Sequence, residues 1–441
     1  MTDSLTAPRP SGPDAPTPPA PEVTDPRAAR RRMVQGAGIV VAGIVTILAW
    51  GIGANSGDAA FALSSSSDKV HIPLLRLPGG PTALVLGGVV VLLGIWHLVR
   101  GFSRRAMTWV TAVVILLFAL AFLCWSATGH AGTPVDLLGA LQLSIFAATP
   151  LILGALAGIV GERSGVINVA IEGQLLAGAF AGALFASVTH SDGLGIVAAA
   201  LAGALIGALL AVFAIRYAVN QVVLGVVINL LVLGLTSYLY HALMQQDAQT
   251  YNSPSVLAPI RIPGLADIPI IGPLLFDANI IVYLMYLLIV VVDVGLFRTR
   301  WGLRTRAVGE HPRAADTVGI NVRRIRYRNV LLGGLIAGLG GAFLTIGAVG
   351  SFSANISSGK GFIALAAVIF GRWSPRGAIA AALLFGFTNE LQVLLSVVGT
   401  PVQIPSAFLS MLPYVATLFA VAGLVGKVSA PAADGVPYTK E

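Results

Sequence analysis

The chain has little charge and almost no cysteine. Only 10% of its 441 residues are charged, and its mean hydropathy is +0.86. Because soluble globular chains carry about one quarter charged residues, this composition excludes an ordinary soluble protein. The one cysteine, Cys124, lies in an apolar run, so an intrachain disulfide is excluded. A buried structural thiol is its expected role.

Residue patterns that carry out catalysis are also lacking. The six histidines are scattered, and no paired spacing indicates a metal site. The pair Gly359-Lys360 comes closest to a phosphate-binding loop, but Gly361 follows where serine or threonine is needed. Ala354 also replaces the leading glycine of that pattern. We therefore expect that the chain is not an enzyme and does not itself hydrolyse ATP.

Long apolar runs take the place of such motifs. Runs of roughly 17–25 apolar residues are long enough to cross a bilayer core. Spans are predicted at 34–53, 83–99, 107–127, 137–160, 173–189, 194–216, 221–243, 279–297, 330–349, 361–371, 377–398 and 405–425. The tenth is short, so we expect it to continue from a broken or re-entrant element in 350–360. The expected fold class is all-α, a polytopic integral membrane protein with about 10–12 transmembrane helices.

The basic residues predict how the chain is oriented. They cluster in short loops, as the positive-inside rule describes for cytoplasmic segments, so the net charge of +8 requires no nucleic-acid partner. Both termini and the segment 298–329 are then expected inside the cell, and the loops 54–82 and 244–278 outside. The predicted parts are a disordered cytoplasmic tail at 1–33, an appended membrane region with an external loop at 34–136, a core at 137–425 and a cytoplasmic C-terminal tail at 426–441.

The segment 298–329 is more than a basic anchor. It carries nine arginines and only two acids, Glu310 and Asp316. Its centre reads Ala307-Val-Gly-Glu-His-Pro-Arg-Ala-Ala-Asp-Thr-Val-Gly-Ile320. An anchor needs neither an adjacent pair of alanines nor spaced glycines. We therefore interpret this segment as a docking surface for a cytoplasmic partner that performs work.

Polar residues interrupt the apolar sequence between 161 and 174. A broken helix there would expose backbone and side chains to a solute path, with Asn168 and Glu172 on one face if the stretch is helical. The alternative is a tight cytoplasmic turn in which Glu162 and Arg163 form a solvated pair, or in which Glu172 pairs with Arg163.

Two further polar sites lie inside predicted spans. Asn229 needs an internal partner, which is either another helix or the solute path. Asn389 and Glu390 are functional if they lie within the hydrocarbon, and interfacial otherwise. The candidates for the translocation path are therefore Asn168, Glu172, Gln174, Asn229, Asn389 and Glu390.

Two glycine-bracketed segments hint at an internal repeat. They are Gly165-Val-Ile-Asn-Val-Ala-Ile-Glu-Gly173 and Gly361-Phe-Ile-Ala-Leu-Ala-Ala-Val-Ile-Phe-Gly371, each near a break in the helical pattern. Many transporters consist of such duplicated halves with broken helices. We therefore expect duplicated halves in this chain.

Several blocks of residues resemble a known family. The block Gly161-Glu-Arg-Ser-Gly-Val-Ile-Asn-Val-Ala-Ile-Glu-Gly173 is similar to its Glu-Arg-Ser-Gly-Val-Ile-Asn signature ending in Glu-Gly. The blocks 221–231, 319–323, 338–343 and 361–371 resemble later parts in the same order. This family comprises the membrane permeases of nucleoside-type ABC importers, within the group that serves simple sugars and branched-chain amino acids. The resemblance covers residues 137–425 and says nothing about 1–136.

The resemblance implies a complex with several partners. Two permease subunits in the cell membrane would enclose the path, an ABC ATPase would bind each on the cytoplasmic side, and an external substrate-binding lipoprotein would deliver the solute. ATP is used by the partner, and no cofactor is expected on this chain. The residues that match the family's coupling element are Gly309, Glu310, Arg313, Ala314, Ala315, Gly319 and Ile320. Nucleosides fit the resemblance best, and sugars and other polar solutes are alternatives.

Two other classes of protein compete with this interpretation. An ion-coupled secondary transporter usually needs ionisable residues near the membrane midplane, where only Glu172, Glu390 and Asp293 qualify. A membrane-embedded enzyme is disfavoured because acids and histidines do not cluster. An ATP-driven importer therefore remains the favoured function.

Overall fold

The fold is helical and polytopic, as expected. The computed structural model describes residues 26–52, 57–64, 69–128, 134–398, 405–412, 415 and 429–439. Within these residues, ten helices are long and apolar enough to cross a membrane. The all-α expectation is confirmed, with the addition of five short strands. Most of the span predicted at 405–425, and most of the tail predicted at 1–33, lie outside the described residues.

The chain divides into two compact units. One comprises Met1–Gly57 and Pro78–Trp125, and the other comprises Asp58–Leu77 and Ser126–Glu441. The helices of the first unit are α1 (Pro26–Val45, continued by a π-helix at Thr46–Ile52), α2 (Gly79–Val99) and α3 (Arg104–Ser126). A Cβ atom on Gly94 of α2 would lie 2.8 Å from the backbone nitrogen of Val40. Glycine therefore lets the backbones of α1 and α2 approach closely.

The second unit contains the remaining elements. Its helices are α4 (Leu137–Glu162), α5 (Ile171–Thr189), α6 (Asp192–Ala211, with a π-helix at Val212–Arg216), α7 (Gln221–Leu239, with a π-helix at Tyr240–Met244), α8 (Ala248–Tyr251), α9 (Ile271–Phe276), α10 (Ile280–Arg298), α11 (Arg300–Glu310), α12 (Pro312–Thr317), α13 (Val322–Leu344, with a π-helix at Thr345–Val349), α14 (Lys360–Phe370), α15 (Pro375–Val398) and α16 (Ser406–Leu409). Strands β1 (Asp58–Ala62), β2 (Leu75–Pro78) and β3 (Val135–Asp136) form a sheet in the order β2-β1-β3, with β1 parallel to β3. Strands β4 (Ile260–Arg261) and β5 (Asp277–Ala278) pair antiparallel.

Helices α4, α5 and α13 form the buried centre of the second unit. Small residues allow this packing, since a Cβ on Gly338 of α13 would lie 2.2 Å from the carbonyl oxygen of Ala199 on α6. A Cβ on Gly178 of α5 would lie 2.4 Å from the carbonyl oxygen of Gly338. The backbone of α13 therefore contacts both α5 and α6, so a displacement of α13 would also displace these two helices.

The expected short tenth span is confirmed as α14. It has 11 residues and follows the non-helical segment 350–359. The order of a long helix, a break and a new helix occurs twice, in α4 to α5 and in α13 to α14. Each glycine-bracketed segment thus lies at such a break, and the duplicated halves stay a prediction.

Candidate functional site

The candidate site begins at the break between α4 and α5. Helix α4 ends at Glu162, and α5 starts only at Ile171. Gly165 has φ of +85°, a left-handed conformation that favours glycine and ends the helix. The chain makes a hydrogen-bonded turn at 163–165, and the helices on either side of the break are each long enough to span a membrane.

The solvated pair expected for Glu162 and Arg163 is wrong, because Glu162 is buried. The expectation that Asn168 and Glu172 share a helical face is wrong, because Asn168 precedes the first residue of α5.

Helix α7 supplies partners for the exposed backbone of the break. The amide oxygen of Asn229 accepts a hydrogen bond from the Gly173 nitrogen at 2.8 Å. Its amide nitrogen donates to the carbonyl oxygen of Val169 at 2.9 Å. Backbone groups at membrane depth need such internal partners. Of the two interpretations left open for Asn229, the hydrogen bond between helices is the one found.

Two residues of α7 were missed by the sequence reasoning. The side-chain oxygen of Gln221 accepts a hydrogen bond from the Ile167 nitrogen at 2.7 Å. A Cβ on Gly225 would lie 2.6 Å from Cβ of Val169, so glycine is needed for α7 to reach the break. Gln221, Gly225 and Asn229 recur every four residues, which puts them on one helical face. That spacing is the signal that could have identified them.

Asn168 and Gln174 face each other inside the protein. The amide nitrogen of Asn168 donates to the side-chain oxygen of Gln174 at 3.0 Å, and both side chains are buried. The Asn168 oxygen and the Gln174 nitrogen have no further partner among the described residues. The pair therefore retains one acceptor and one donor.

Glu172 connects the break to α14. Its carboxylate accepts hydrogen bonds from the Ser357 hydroxyl at 2.6 Å, the Gly359 nitrogen at 2.8 Å and the Gly361 nitrogen at 2.6 Å. A carboxylate is stabilised at the N-terminus of a helix, where backbone N–H groups are unpaired and the helix dipole is positive. The carboxylate thus fastens the start of α5 to the start of α14.

The two glycine-bracketed segments meet at this contact. A Cβ on Gly361 would lie 2.4 Å from the backbone nitrogen of Glu172, so the two helix starts touch through their backbones. The proposed pairing of Glu172 with Arg163 is wrong. The Arg163 guanidinium instead donates to the carbonyl oxygen of Trp373 at 2.9 Å.

Asn389 and Glu390 lie elsewhere. Both are on α15, and the Asn389 amide donates to the Glu390 carboxylate at 3.4 Å. One turn earlier, Gly386 packs against Ser144 and Ala148 of α4, whereas Ile171 packs against Gly154 and Gly158. Ten residues of helix separate these levels, which is about 15 Å. The structure therefore does not bring these two candidates to the break.

Asp293, considered as part of an ion relay, has an ionic partner. Its carboxylate forms an ion pair of 3.0 Å with Arg376, in the first turn of α15. Glu172 is also fully used in hydrogen bonds to α14. Two of the three acids considered for a relay, Asp293 and Glu172, are thus held by structural partners.

The segment 298–329 folds into α11, α12 and the start of α13. The Trp301 indole donates to the Asn329 side chain at 3.0 Å, and Asn329 donates to Thr305 at 3.1 Å. These bonds hold α11 against α13. At the end of α11, a Cβ on Gly309 would lie 2.3 Å from the carbonyl oxygen of Arg163. The segment therefore packs directly on the turn 163–165 of the break.

The two adjacent alanines of α12 point in different directions. Ala315 is only 3% exposed and packs against Val308, Val322 and Ile325, whereas Ala314 is exposed. Gly319, with φ of +84°, donates its N–H to Asp316 at 2.9 Å and ends the helix. Ala315 and Gly319 therefore shape the element, and Ala314 presents its outer surface.

The other residues that match the family's coupling element also divide into buried and exposed positions. Gly309 is buried and Ile320 is half-buried, whereas Glu310 and Arg313 are exposed. Arg163 lies between this surface and the break. Burial lowers the pKa of its guanidinium, and the charge of Glu310 opposes that shift. The end of α11 is thus coupled to the break by packing and by charge.

These features define a polytopic membrane permease, and comparison with known proteins identifies its family. Residues 141–422 match the family described as the permease component of the branched-chain amino acid transport system. The chain belongs to this family. It is the membrane permease subunit of an ABC transporter, and ATP hydrolysis takes place in a separate subunit. The alternatives of a secondary transporter and a membrane-embedded enzyme are thereby excluded.

Several relatives cover most of the matched region. The chain is 42% identical to the guanosine ABC transporter permease protein NupQ of Bacillus subtilis over 303 residues, which cover 66% of this chain and 94% of that protein. It is 39% identical over 300 residues to the nucleoside ABC transporter permease protein NupC of Lactococcus lactis, with the same coverage. The glucose ABC transporter permease protein TsgB13 of Haloferax volcanii is 26% identical over 62% of this chain and 74% of its own length. No solved structure matches the chain significantly.

Substituting Asn229 by leucine is expected to destabilise the second unit. The change keeps the size of the side chain but leaves the Gly173 nitrogen and the Val169 carbonyl without partners. Each unsatisfied buried group costs about 1–3 kcal/mol. The melting temperature of the purified protein in detergent should fall, while Leu231→Ala, at an exposed position of the same helix, should leave it close to wild type. An unchanged melting temperature in Asn229→Leu would contradict this role.

Proposed function

We propose that this chain is the permease of an ATP-driven importer for nucleosides. The proposal is carried by sequence identity. The chain is 42% identical to a permease named for guanosine and 39% identical to one named for nucleosides, in each case over 94% of the length of that permease. A glucose permease is similar at 26% identity, so a sugar is the second candidate. The proposed solute is therefore a small, polar and uncharged molecule.

The chemistry of the break supports an uncharged solute. Two of its buried polar side chains, Asn168 and Gln174, are amides, which donate and accept hydrogen bonds as the edges of nucleobases do. The carboxylate of Glu172 is occupied by three donors from the start of α14 and its preceding turn. The second buried carboxylate of this region, Glu162, accepts a hydrogen bond from the Trp373 indole. The two amides are therefore the groups proposed to recognise the uncharged solute.

We propose that the contact between α5 and α14 is the gate of the path. Asn168, Glu172 and Gln174 lie on or beside it, and Asn229 holds its backbone in place. Asn389 and Glu390 are proposed as contacts in the outer half of the path, about 15 Å away along α4. Opening requires that the hydrogen bonds of Glu172 to α14 be exchanged for others.

The coupling helices α11 and α12 are well positioned to drive this gate. Gly309 packs on the Arg163 carbonyl, and the buried side chain of Arg326 donates from Nε to the Ser164 carbonyl at 3.1 Å. A movement of these helices would therefore shift the turn 163–165, from which the chain continues through Asn168 to Glu172. Nine arginines in 298–329 favour the cytoplasmic side for this surface.

The proposed complex lies in the cell membrane, with both termini of this chain inside. ABC permeases work with an ATPase and a substrate-binding protein. We propose that the ATPase binds at α11 and α12, that a second permease subunit completes the path, and that the binding protein is an external lipoprotein. No nucleic acid and no cofactor on this chain are required.

Reconstitution tests the substrate directly. The permease is incorporated into proteoliposomes with a partner ATPase and a substrate-binding protein, and uptake of radiolabelled guanosine is followed with and without ATP. We expect ATP-dependent accumulation that unlabelled uridine or adenosine reduces and glucose does not. Accumulation of glucose that nucleosides do not inhibit would instead establish the sugar permease.

A further inference from the structure

The C-terminal segment 429–439 is packed against the coupling helices. The Ala433 nitrogen donates to the carbonyl oxygen of Gly309 at 2.8 Å. The Ala432 nitrogen donates to the Glu310 carboxylate at 3.1 Å. Ala433 is buried in this contact. The segment is therefore an ordered part of the surface formed by α11 and α12.

A buried arginine joins this segment to the break. Arg326 is 1% exposed, and its Nη1 donates to the Val436 carbonyl at 2.9 Å while its Nε donates to the Ser164 carbonyl at 3.1 Å. Asp434 lies close to the same guanidinium. Burial raises the pKa of Asp434 to about 7, against the opposing charge of Arg326. One side chain of α13 thus connects the C-terminal segment to the turn that precedes the gate.

Close backbone contacts make the fit specific. A Cβ on Gly165 would lie 2.9 Å from the Ala433 carbonyl oxygen. Gly435 has φ of +75°, and a Cβ there would lie 2.7 Å from Cδ1 of Ile167. Both glycines are needed for the segment to lie against residues 165–167. A larger residue at 435 would be strained at this positive φ and would have to displace the end of the Ile167 side chain.

The segment and the coupling helices line an open cavity of about 550 Å³. Its walls include Glu310, Arg313 and Ala314 from the coupling helices and Val436 and Tyr438 from the segment. Tyr438 also packs on the apolar cluster that holds Ala315. The cavity therefore lies directly beside the exposed alanine of the coupling element.

We propose that segment 429–439 is one wall of the surface on which the ATPase subunit docks, and that it clamps this surface to the break. The proposal rests on the importer function proposed above. Continuity with α11 and α12 identifies the occupant, because a partner that reaches Ala314 also meets Val436 and Tyr438. Since 298–329 carries nine arginines and two acids, the docking element of the ATPase should be acidic, with an apolar tip for the cavity. Val318, which is 74% exposed on the same loop, adds an apolar contact at the surface.

Deletion and point variants test this surface. Permease carrying an N-terminal affinity tag is purified in detergent as wild type, with 429–441 deleted, as Gly435→Val and as Tyr438→Ala. Gly264→Val is the matched control, because Gly264 also has positive φ, at +81°, but no atom lies within 4 Å of its Cβ position. Binding of the purified ATPase and its stimulation by the loaded binding protein are then measured.

We expect the deletion and Gly435→Val to weaken ATPase binding about tenfold or more, as loss of an interface wall should, and Tyr438→Ala to weaken it less. Gly264→Val should bind as wild type does. Wild-type affinity and full stimulation in folded deletion protein would overturn the proposal. If the deletion variant does not fold, unchanged ATPase binding in both Tyr438→Ala and Gly435→Val would also overturn the proposal. Failure of the wild type itself to bind any ATPase would count against the importer function and not against the segment.

Discussion

Replacing Ala314 by glutamate is expected to abolish ATP-driven uptake and to leave the permease folded and inserted. Ala314 is exposed on α12 and lines the cavity beside the C-terminal segment. A larger, acidic side chain there would fill the docking surface and repel an acidic partner, and like charges brought together at an interface cost several kcal/mol. Uptake by proteoliposomes and retention of the ATPase are the measurements.

The matched control for this variant is Ala248→Glu. Ala248 is also exposed in a short helix, but it lies in the loop after α7, away from the coupling helices. It should transport as wild type does. Normal uptake by correctly inserted Ala314→Glu would show that α12 is not the site of coupling.

The neighbouring alanine gives a different expected result. Ala315 is buried against Val308, Val322 and Ile325, so a glutamate there would bury an unpaired charge. Ala315→Glu should therefore lower the melting temperature, which Ala314→Glu should not. A double substitution of both alanines would combine two effects, and only the single change at 314 tests docking.

Removing the carboxylate of Glu172 is the second change with a large expected effect. Glu172→Ala leaves the Ser357 hydroxyl and the Gly359 and Gly361 nitrogens without their acceptor. At about 1–3 kcal/mol for each unsatisfied buried group, the contact between α5 and α14 should open. We expect uptake to fall at least tenfold, while ATP hydrolysis continues without coupling to transport. Glu172→Gln, which keeps one acceptor oxygen, should retain more activity than Glu172→Ala.

The control for Glu172 is Asp247, an exposed acid at the start of α8. Its carboxylate accepts a hydrogen bond from the Thr250 nitrogen in the loop after α7, so Asp247→Ala should reduce uptake much less. An equal loss of uptake in the two variants would show that the contact between α5 and α14 has no special role in transport. The same conclusion would follow if ATP hydrolysis stayed coupled to uptake in Glu172→Ala.

Access to the gate can be measured with cysteine variants. In a Cys124→Ala background, Asn168→Cys and Glu172→Cys place thiols at positions that are 1% and 8% exposed. A small water-soluble thiol reagent should modify them faster during transport than at rest, whereas Leu176→Cys, buried in the core, should stay unreactive. Rates that do not change with solute or nucleotide would exclude both residues from the path.

The sequence alone was sufficient for the elements that depend on local composition. Apolar runs long enough to cross a bilayer predicted the helices, because backbone groups in hydrocarbon must bond within the helix. Glycines and polar residues between 161 and 174 predicted the break, since Gly165 adopts a conformation that ends a helix. The arginines of 298–329 predicted a cytoplasmic segment, and its alanine pair and spaced glycines predicted a docking surface, which stays a prediction. Each of these properties is determined within a few tens of residues.

Only the tertiary structure decided which groups meet. The partners of Glu172 lie 185 to 189 residues away, and the C-terminal segment reaches Glu310 across 122 residues. Adjacent residues of a helix differ in direction by about 100°, and a six-residue helix is too short for periodicity to tell Ala314 from Ala315. Hydrogen bonds of this kind depend on how helices pack, and packing is set by glycine contacts between distant segments. The sequence therefore determined the parts and their class, and the packed structure determined how the coupling helices connect to the gate.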